Sequence, residues 1–383
     1  MSGTPASAEQ PRQGGPSGQP ELQCQQPPGP KQFVLDNPRG AYTTIWVRCS
    51  GGSDVSGRAG SSSSTAPLEL VDWATHLERL VRSLRAMHKE LQGCYARYYA
   101  WLKGNPDPEP KALQRLLGPP VWQALAAAEQ AHAAAQHLML IVVLPPDDGS
   151  PCGLEVRVLA HPCSPPGSSP CAAVVLGGPR RVPEGKDSGW VADRQPLEQL
   201  RDAAGGAASD EVLLCTADGR LLEGLVTNFF AVTCEAASHG ASEEAAAAGV
   251  EERRGGDAAA PSWSGGGCPG TPEPAAVTVW TAGVGDGVVW GTVRARVLQA
   301  CRTLGYAVRE EAPSAQSRHA WSEAFITNAL RLVQPLRRVS CSEANVWGLP
   351  PWEVELPSAP GPVTAALAAV LASTLPTCPA HDL

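Results

Sequence analysis

Two ionisable side chains, one lysine and one glutamate, stand in local settings that could hold them in fixed positions. Lys186 follows a loop in a segment that is otherwise poor in lysine, and glycines lie close to it on both sides. Glu223 is followed directly by Gly224, which would let a flat ligand approach closely. A lone lysine is usually a solvated surface residue, and a single acid on a hairpin is often solvated too. These two residues alone therefore do not establish a site.

The glutamate belongs to a predicted β-hairpin within Leu213–Val232, LLCTADGRLLEGLVTNFFAV. Asp218-Gly219 separates two apolar runs and is a strong local signal for a hairpin with a primed turn. Thr227-Asn228 then opens a third apolar run, Phe229–Val232. The segment predicts three short strands, with Glu223 at the end of the second.

Three other segments carry groups that could bind an anion. Gly291-Thr292-Val293-Arg294 begins a predicted helix, whose first N–H groups have no partner within the helix. Thr327-Asn328 ends a predicted strand. Arg79 lies beside the apolar stripe of another helix, where its guanidinium either snorkels into solvent or reaches a phosphate. A lysine for a Schiff base, an acid for a ring nitrogen, and an arginine with a helix N-terminus for phosphate are what pyridoxal 5'-phosphate requires.

Taken in order along the chain, these residues resemble the motifs of the class IV aminotransferases. These are fold-type IV pyridoxal-phosphate enzymes, and they include branched-chain and D-amino-acid aminotransferases and aminodeoxychorismate lyase. The resemblance covers about Phe33 to Val339. The matching motifs are His76-x-x-Arg79-Leu80, Glu223-Gly224-x-x-Thr227-Asn228-Phe229-Phe230, Gly291-Thr292-Val293-Arg294, and Phe325-Ile326-Thr327-Asn328 running to Gln334-Pro335.

Two further segments resemble an uncharacterised plant-type branch of that family, which is similar to D-amino-acid and branched-chain aminotransferases. They are Arg39-Gly40-Ala41-Tyr42-Thr43-Thr44 and Lys186-Asp187-Ser188-x-Trp190-Val191-x-x-Arg194-x-Pro196-Leu197-Glu198.

The resemblance implies a two-domain α/β (α+β) fold, with a small N-terminal α/β domain and a larger, mostly β domain with helices. Residues 31–147 are assigned to the small domain. Residues 148–350 are assigned to the larger, cofactor-binding domain, which carries a low-complexity insert at 235–276. Residues 1–30 are predicted to be a disordered tail, and 351–383 a Pro/Ala-rich tail.

The resemblance also implies a role for each site residue. Lys186 would hold pyridoxal 5'-phosphate as a Schiff base and later move a proton at the substrate Cα. Burial and neighbouring cations should lower its pKa from the usual ~10.4. Glu223 would face the pyridine nitrogen and keep it protonated. The other cofactor-binding residues would be Arg79, Asn228, Thr292, Val293, Thr327 and Asn328.

Three positions depart from the family pattern. Val293 and Ala329 stand where family members often carry a hydroxyl that binds phosphate, so Thr292, Thr327 and backbone N–H groups would have to serve. Trp190 stands four residues after the lysine, whereas the family has an aromatic residue at the fifth.

The motifs predict an enzyme, a pyridoxal-phosphate-dependent aminotransferase of amino-acid metabolism. It would transfer an amino group between an amino acid and a 2-oxo acid, and it would act as a homodimer. Two alternatives remain open at this point. One is a lyase similar to aminodeoxychorismate lyase, and the other is a catalytically weak cofactor-binding homologue, which the departures at Val293 and Ala329 would explain.

The composition limits which classes of protein the chain can belong to. A chain of 383 residues can bury a large core, and its net charge of −8 provides no basic field for nucleic acid or anionic membranes. Twelve cysteines lie scattered without the spacing of a metal site, which predicts reduced, structural thiols and no metal. No apolar run is long enough to span a bilayer. We expect a soluble intracellular protein of the cytoplasm, with a plastid as the alternative compartment.

Apolar periodicity and turn residues predict the elements that must position these groups. The predicted strands outside the hairpin are Phe33–Leu35, Ala41–Cys49, Leu138–Leu144, Leu154–Leu159, Ala172–Leu176, Val277–Thr281, Tyr306–Arg309 and Ala324–Thr327. The predicted helices are Leu68–Leu91, Pro119–Gln136, one with Pro196 in its first turn, Val289–Leu304, and a short one near Arg318–Glu323.

Overall fold

The computed structural model describes residues 28–49, 68–167, 169–203, 209–234 and 273–383. The predicted tail at 1–30 and the predicted insert at 235–276 lie almost entirely outside these described residues.

The described residues form eight α-helices. They are α1 Pro30–Asp36, α2 Trp73–Glu90, α3 Ala96–Lys103, α4 Glu109–Ala131, α5 Trp190–Asp193, α6 Gln195–Ala203, α7 Thr292–Leu304 and α8 Pro362–Thr374.

The same residues form fourteen β-strands. They are β1 Ala41–Cys49, β2 Leu68–Val71, β3 His137–Leu144, β4 Arg157–Pro162, β5 Cys171–Gly177, β6 Glu211–Cys215, β7 Leu221–Gly224, β8 Asn228–Cys234, β9 Val277–Trp280, β10 Ala307–Arg309, β11 Glu323–Asn328, β12 Leu332–Cys341, β13 Trp352–Glu355 and β14 Thr377–Pro379.

The first sheet has five strands in the order β14-β2-β1-β3-β4, and all its pairings are antiparallel. Side chains of β1 alternate between its two faces. Ala41, Ile45 and Val47 pack into a core with apolar residues of α2 and α4. Tyr42 and Thr44 point to the opposite face, where they line a cavity. The strand β1 therefore connects the helical core of this sheet to the cavity.

The second sheet has nine strands, ordered β10-β9-β8-β11-β12-β5-β6-β7, with β13 added to β12. The strand β7 also pairs back with β8 through Glu223 and Asn228, so six of the strands close into a ring. Phe229 and Ile326 pack on the ring side of the sheet. Phe230 and Phe325 stack on the other side at 4.7 Å between ring centroids and pack in the core that includes α7 and α8.

Several predicted elements have other bounds in the structure: the strand predicted at Leu154–Leu159 is β4 at Arg157–Pro162, the helix predicted from Val289 begins at Thr292, and the short helix predicted near Arg318–Glu323 is a 3-10 helix at Ala315–Ala320. Three further elements differ more. Phe33–Leu35 lies in the helix α1, because Pro30 at the first helical position favours a helix start. Leu68–Val71 is the strand β2, and α2 begins only after Asp72, which has a φ of 57°. The predicted helix at Pro119 is part of α4, which begins at Glu109. Buried α4 residues at four-residue spacing, from Leu113 onwards, outweigh the two prolines inside it.

The prediction that 351–383 is a tail was wrong. Val363, Leu367 and Leu371 are spaced four residues apart and buried, so this face of the mostly apolar helix α8 packs against the second sheet. The strand β14 pairs with β2 and so extends the first sheet. The strand β4 also belongs to the first sheet, although it lies beyond residue 147. The other domain boundaries stay predictions.

The hairpin around Asp218-Gly219 forms as predicted, but its turn is not a primed one. The strands β6 and β7 pair antiparallel on either side of it. Gly219 has a φ of 78°, whereas Asp218 is not among the described residues with positive φ. Either primed turn requires a positive φ at the first central residue. The loop instead closes by a hydrogen bond from Thr216 N–H to Arg220 O at 3.0 Å, with the glycine in the left-handed region.

Candidate active site

A cavity of about 320 Å³ lies between the two sheets. The first sheet contributes Tyr42, Thr44 and Ile141 to its wall, and the second sheet contributes residues at the ends of β7, β8 and β11. The eight site residues predicted from the sequence all line it: Arg79, Lys186, Glu223, Asn228, Thr292, Val293, Thr327 and Asn328.

The N-terminus of α7 forms one end of the cavity. Its N-cap residue is Gly291, and no side chain caps its first N–H groups. A Cβ at Gly291 would lie 1.9 Å from Asn228 Oδ1, so only glycine fits there. Asn228 Nδ2 donates to Val289 O at 3.0 Å, which ties the start of the helix to β8. These free N–H groups and the positive end of the helix dipole form a site for an anion.

Arg79 reaches this end of the cavity from α2. The residue is 5% exposed, which rules out the snorkelling interpretation. Its Nη2 donates to Thr43 Oγ1 and to His76 Nδ1, the latter at 3.0 Å. Burial lowers the pKa of His76 well below 6.5, and the nearby cations Arg79 and Lys186 lower it further. The imidazole is therefore neutral and can accept this hydrogen bond, so Thr43 and His76 orient the guanidinium.

Five buried polar atoms of residues that line the cavity have no hydrogen-bond partner among the described residues. Three of them, Arg180 Nε, Glu223 Oε1 and Arg331 Nη1, take part in ion pairs. The other two, Arg79 Nε and Thr327 Oγ1, have neither kind of partner there. Unpaired buried polar atoms are costly, and native proteins usually satisfy them. A phosphate group would accept hydrogen bonds from both. Asn328 does something different, because its Oδ1 accepts the N–H groups of Leu330 and Arg331 at 3.0 and 2.8 Å and shapes the turn after β11.

Lys186 lies on the loop before α5, and its backbone is hydrogen-bonded to α2 and to β1 of the first sheet. Its N–H donates to Ser83 Oγ at 3.0 Å, and its carbonyl accepts Tyr42 N–H at 2.9 Å. In the next residue, Asp187, both carboxylate oxygens accept a hydrogen bond from Arg39 Nε at 3.0 Å. Burial lowers the pKa of Lys186 from 10.5 to about 8, with Arg79 acting in the same direction and Tyr42 opposing it. The predicted lowering of this pKa agrees with the environment.

Glu223 is a buried acid and not a surface acid, with 2% exposure at the end of β7. Its Oε2 accepts Val289 N–H at 3.2 Å, and its Oε1 lies 2.9 Å from Nε of Arg180. The second contact is an ion pair whose angle falls outside that of a hydrogen bond. Burial raises the pKa of Glu223 to about 7, against the opposing effects of Arg180 and Val289 N–H.

Arg180 is a site residue that the sequence reasoning missed. It lines the same cavity, and its Nη2 donates to the carbonyls of Gly224 and Leu225 at 3.2 Å each. Its guanidinium lies over the Trp190 ring, 4.7 Å from the centroid. In the sequence it is one of two adjacent arginines, and its neighbour Arg181 is exposed. No sequence signal distinguishes the two.

Comparisons with known proteins bear on the family and on the fold. Residues 191–339 match the profile of the family described as Amino-transferase class IV. That segment contains Glu223 and the predicted residues at α7 and β11, and it begins after Lys186. No curated protein sequence matches the chain.

Several solved structures share the fold. The branched-chain aminotransferase from the archaeon Thermoproteus uzoniensis, solved with norvaline, is 16% identical; 89% of this chain and 90% of that chain are covered, with a TM-score of 0.51. The fold IV-transaminase CpuTA1 from Curtobacterium pusillum is 15% identical over 88% and 87%, with a TM-score of 0.50. The PLP-bound form of a hypothetical aminotransferase from Mycobacterium tuberculosis is 14% identical over 87% of each chain, with a TM-score of 0.50. The predicted fold class is confirmed. The plant-type branch stays a prediction.

Two features are absent from the described ranges. No helix there is long and apolar enough to cross a membrane. Nor do the described residues contain a group of three or more His, Cys, Asp or Glu side chains that could hold a metal ion.

Proposed function

We propose that this chain is a class IV aminotransferase and transfers an amino group between an amino acid and a 2-oxo acid with pyridoxal 5'-phosphate. One observation carries the proposal. A lysine of lowered pKa, a buried carboxylate, and a helix N-terminus beside a buried arginine line one cavity. This is the set of groups that the cofactor needs for its aldehyde, its ring nitrogen and its phosphate.

The phosphate would lie at the start of α7. The N–H groups of Thr292 and Val293 point their dipoles at an anion there, and Arg79 would add a charge-assisted hydrogen bond. The unpaired Arg79 Nε and Thr327 Oγ1 would both gain an acceptor. Asn228 would act indirectly, since its hydrogen bond to Val289 O holds the loop that leads into the helix. The apolar side chains of Val293 and Ala329 would leave the backbone to do more of the binding.

Glu223 would stand at the opposite end of the ring and accept a hydrogen bond from the pyridine nitrogen. The bound cofactor supplies an electron sink for the electron pair that is released at the substrate Cα. Glu223 must be ionised for this task, because only the carboxylate form favours a protonated ring nitrogen.

Lys186 would hold the cofactor and, once released, take the proton from the substrate Cα and return it on the next step. A lysine with a pKa of about 8 has an appreciable neutral fraction near neutral pH, whereas a solvated lysine has almost none. Its attachment to Ser83 and Tyr42 through the backbone would fix where the amine can reach.

A screen of amino donors with 2-oxoglutarate and pyruvate as acceptors tests the proposal, with the cofactor spectrum as readout. We expect a donor alone to change the spectrum once, and an added 2-oxo acid to restore it, because transamination proceeds by two half-reactions. Pyruvate released without any acceptor would instead indicate a lyase. A bound cofactor whose spectrum no donor changes would indicate a catalytically weak homologue.

We also propose, from the family resemblance, that the chain acts as a homodimer inside the cell. Light scattering on the purified protein tests the oligomeric state, and a mass of one chain would contradict it. Sequencing the N-terminus of the protein isolated from cells would distinguish the cytoplasm from a plastid.

A further inference from the structure

We propose that Arg180 is a positioning residue that keeps the Glu223 carboxylate ionised and aimed at the cofactor ring nitrogen. The inference rests on the proposed function. It assigns a role to a residue outside the set that the family motifs contain.

Arg180 contacts both the Glu223 side chain and the backbone that follows it at the end of β7. The two side chains are 6% and 2% exposed, and Nε lies 2.9 Å from Oε1. The same guanidinium donates through Nη2 to the carbonyls of the next two residues along the chain, Gly224 and Leu225. Arg180 therefore holds the Glu223 carboxylate and also the backbone of the two residues that follow it.

Trp190 limits the positions open to this guanidinium. Its ring lies against Arg180 at 4.7 Å, and its Nε1 donates to Leu225 O at 2.7 Å. An arginine that stacks on an aromatic ring and donates to two backbone carbonyls has little rotational freedom. The ion pair with Glu223 is thus held by contacts that do not involve Glu223 itself.

Three charged residues face Glu223, two from the loop between β5 and α5 and one from β6. Arg180 and Lys186 favour its ionised form, and Glu211 on β6 disfavours it, with burial opposing ionisation more than any of them. Among the described residues, Arg180 alone forms an ion pair with Glu223. Lys186 cannot take its place while it is bound to the cofactor. Removing a partner from a buried pair leaves the other charge uncompensated, so Glu223 would take up a proton.

Two substitutions separate charge from structure. Arg180→Gln removes the charge and keeps an amide that can donate to the carbonyls, whereas Arg180→Lys keeps the charge and loses the fork. Arg181→Gln is the matched control, because it makes the same change at the exposed neighbour. The readout is the ¹⁵N resonance of ring-labelled pyridoxal 5'-phosphate bound to each variant, which reports whether the ring nitrogen carries a proton.

We expect the resonance of a protonated ring in the wild type, in Arg181→Gln and in Arg180→Lys, and a shift towards the unprotonated position in Arg180→Gln. Turnover of Arg180→Gln should fall roughly tenfold or more, with the KM for the amino donor nearly unchanged. In a Glu223→Gln background, Arg180→Gln should cause no further shift.

Three results would overturn the inference: an unshifted resonance in Arg180→Gln, an equal shift in Arg180→Lys, or a shift that persists without Glu223. If Arg180→Gln does not fold, Arg180→Lys decides, since loss of the protonated ring with the charge retained is incompatible with a role for charge. A wild type that binds no cofactor would contradict the proposed function and would be seen before any variant is compared.

Discussion

The ammonium group of Lys186 lies over the ring of Tyr42, 4.5 Å from its centroid. The lysine belongs to the loop before α5, whereas the tyrosine belongs to β1 of the first sheet. The two residues are also joined through the hydrogen bond from Tyr42 N–H to Lys186 O. The reactive amine of the proposed site is thus positioned by a strand of the other sheet, and its chemistry depends on that strand.

The first prediction concerns the reactivity of this amine with aldehydes in the apoprotein. Only the neutral amine attacks an aldehyde, so the rate should rise with pH and level off above a midpoint near 8. Tyr42→Leu should move the midpoint lower, because the ring stabilises the ammonium form by roughly 0.5–2 kcal/mol. Stopped-flow absorbance with pyridoxal 5'-phosphate measures it. A midpoint near 10, as for a solvated lysine, would show that the amine is not in this environment.

The second prediction concerns the phosphate. Arg79→Lys should weaken binding of pyridoxal 5'-phosphate about 10- to 100-fold, because a hydrogen bond to a charged group contributes ~1.5–3 kcal/mol. Binding of pyridoxal, which lacks the phosphate, should be nearly unchanged. Arg115→Lys at an exposed position of α4 is the control. Equal losses for the two ligands in a calorimetric titration would mean that Arg79 acts on the fold and not on the phosphate.

The third prediction separates binding from turnover. Glu223→Ala should still bind the cofactor, because the phosphate groups and Lys186 remain, yet it should lose most of its turnover since the ring nitrogen is no longer kept protonated. Steady-state kinetics on the loaded variant measure this. Full activity in Glu223→Ala would mean that the strand β7 has only a structural role.

The fourth prediction concerns the stability of the apoprotein as a function of pH. The folded-state pKa of Glu223 is raised from 4.5 to about 7, so its contribution to stability is fully present below about 4.5 and is lost as pH rises through 7. Relative to Glu223→Gln, the free energy of unfolding of the wild type should fall between pH 5 and pH 8, by on the order of 3 kcal/mol at most. Urea unfolding of both proteins at each pH tests this. Parallel pH profiles would be inconsistent with a buried, proton-binding Glu223.

The local sequence predicted an element correctly where tertiary packing and intrinsic propensity favour the same structure. Ala41–Cys49 was predicted with the bounds that β1 has, because the sequence holds an unbroken run of β-branched and aromatic residues between turn-forming residues and a Gly/Ser-rich segment. The helix α7 ends at Leu304 as predicted, and Gly305 follows it with a φ of 75°, which glycine adopts without strain. The eight predicted site residues line one cavity, and they could be selected from the sequence because the motifs that carry them are short and continuous.

The residues that the sequence reasoning missed are those whose role depends on distant partners. Thr43 orients Arg79 only because β1 lies against α2, and Arg180 contacts Glu223 only because the loop after β5 crosses the end of β7. The helix α8 was missed for a related reason, since its apolar and alanine-rich sequence has little polar contrast to reveal a buried face. Tertiary contacts of this kind leave no periodic pattern in the chain.

The most direct test of the account is chemical trapping of the cofactor on its lysine. Holoprotein is reduced with borohydride, digested and analysed by mass spectrometry to find the residue that carries the phosphopyridoxyl group. We predict the label on Lys186 and no label in Lys186→Ala, with circular dichroism showing that the variant is folded. A label on any other lysine, or an unlabelled wild type after loading with pyridoxal 5'-phosphate, would contradict the central claim.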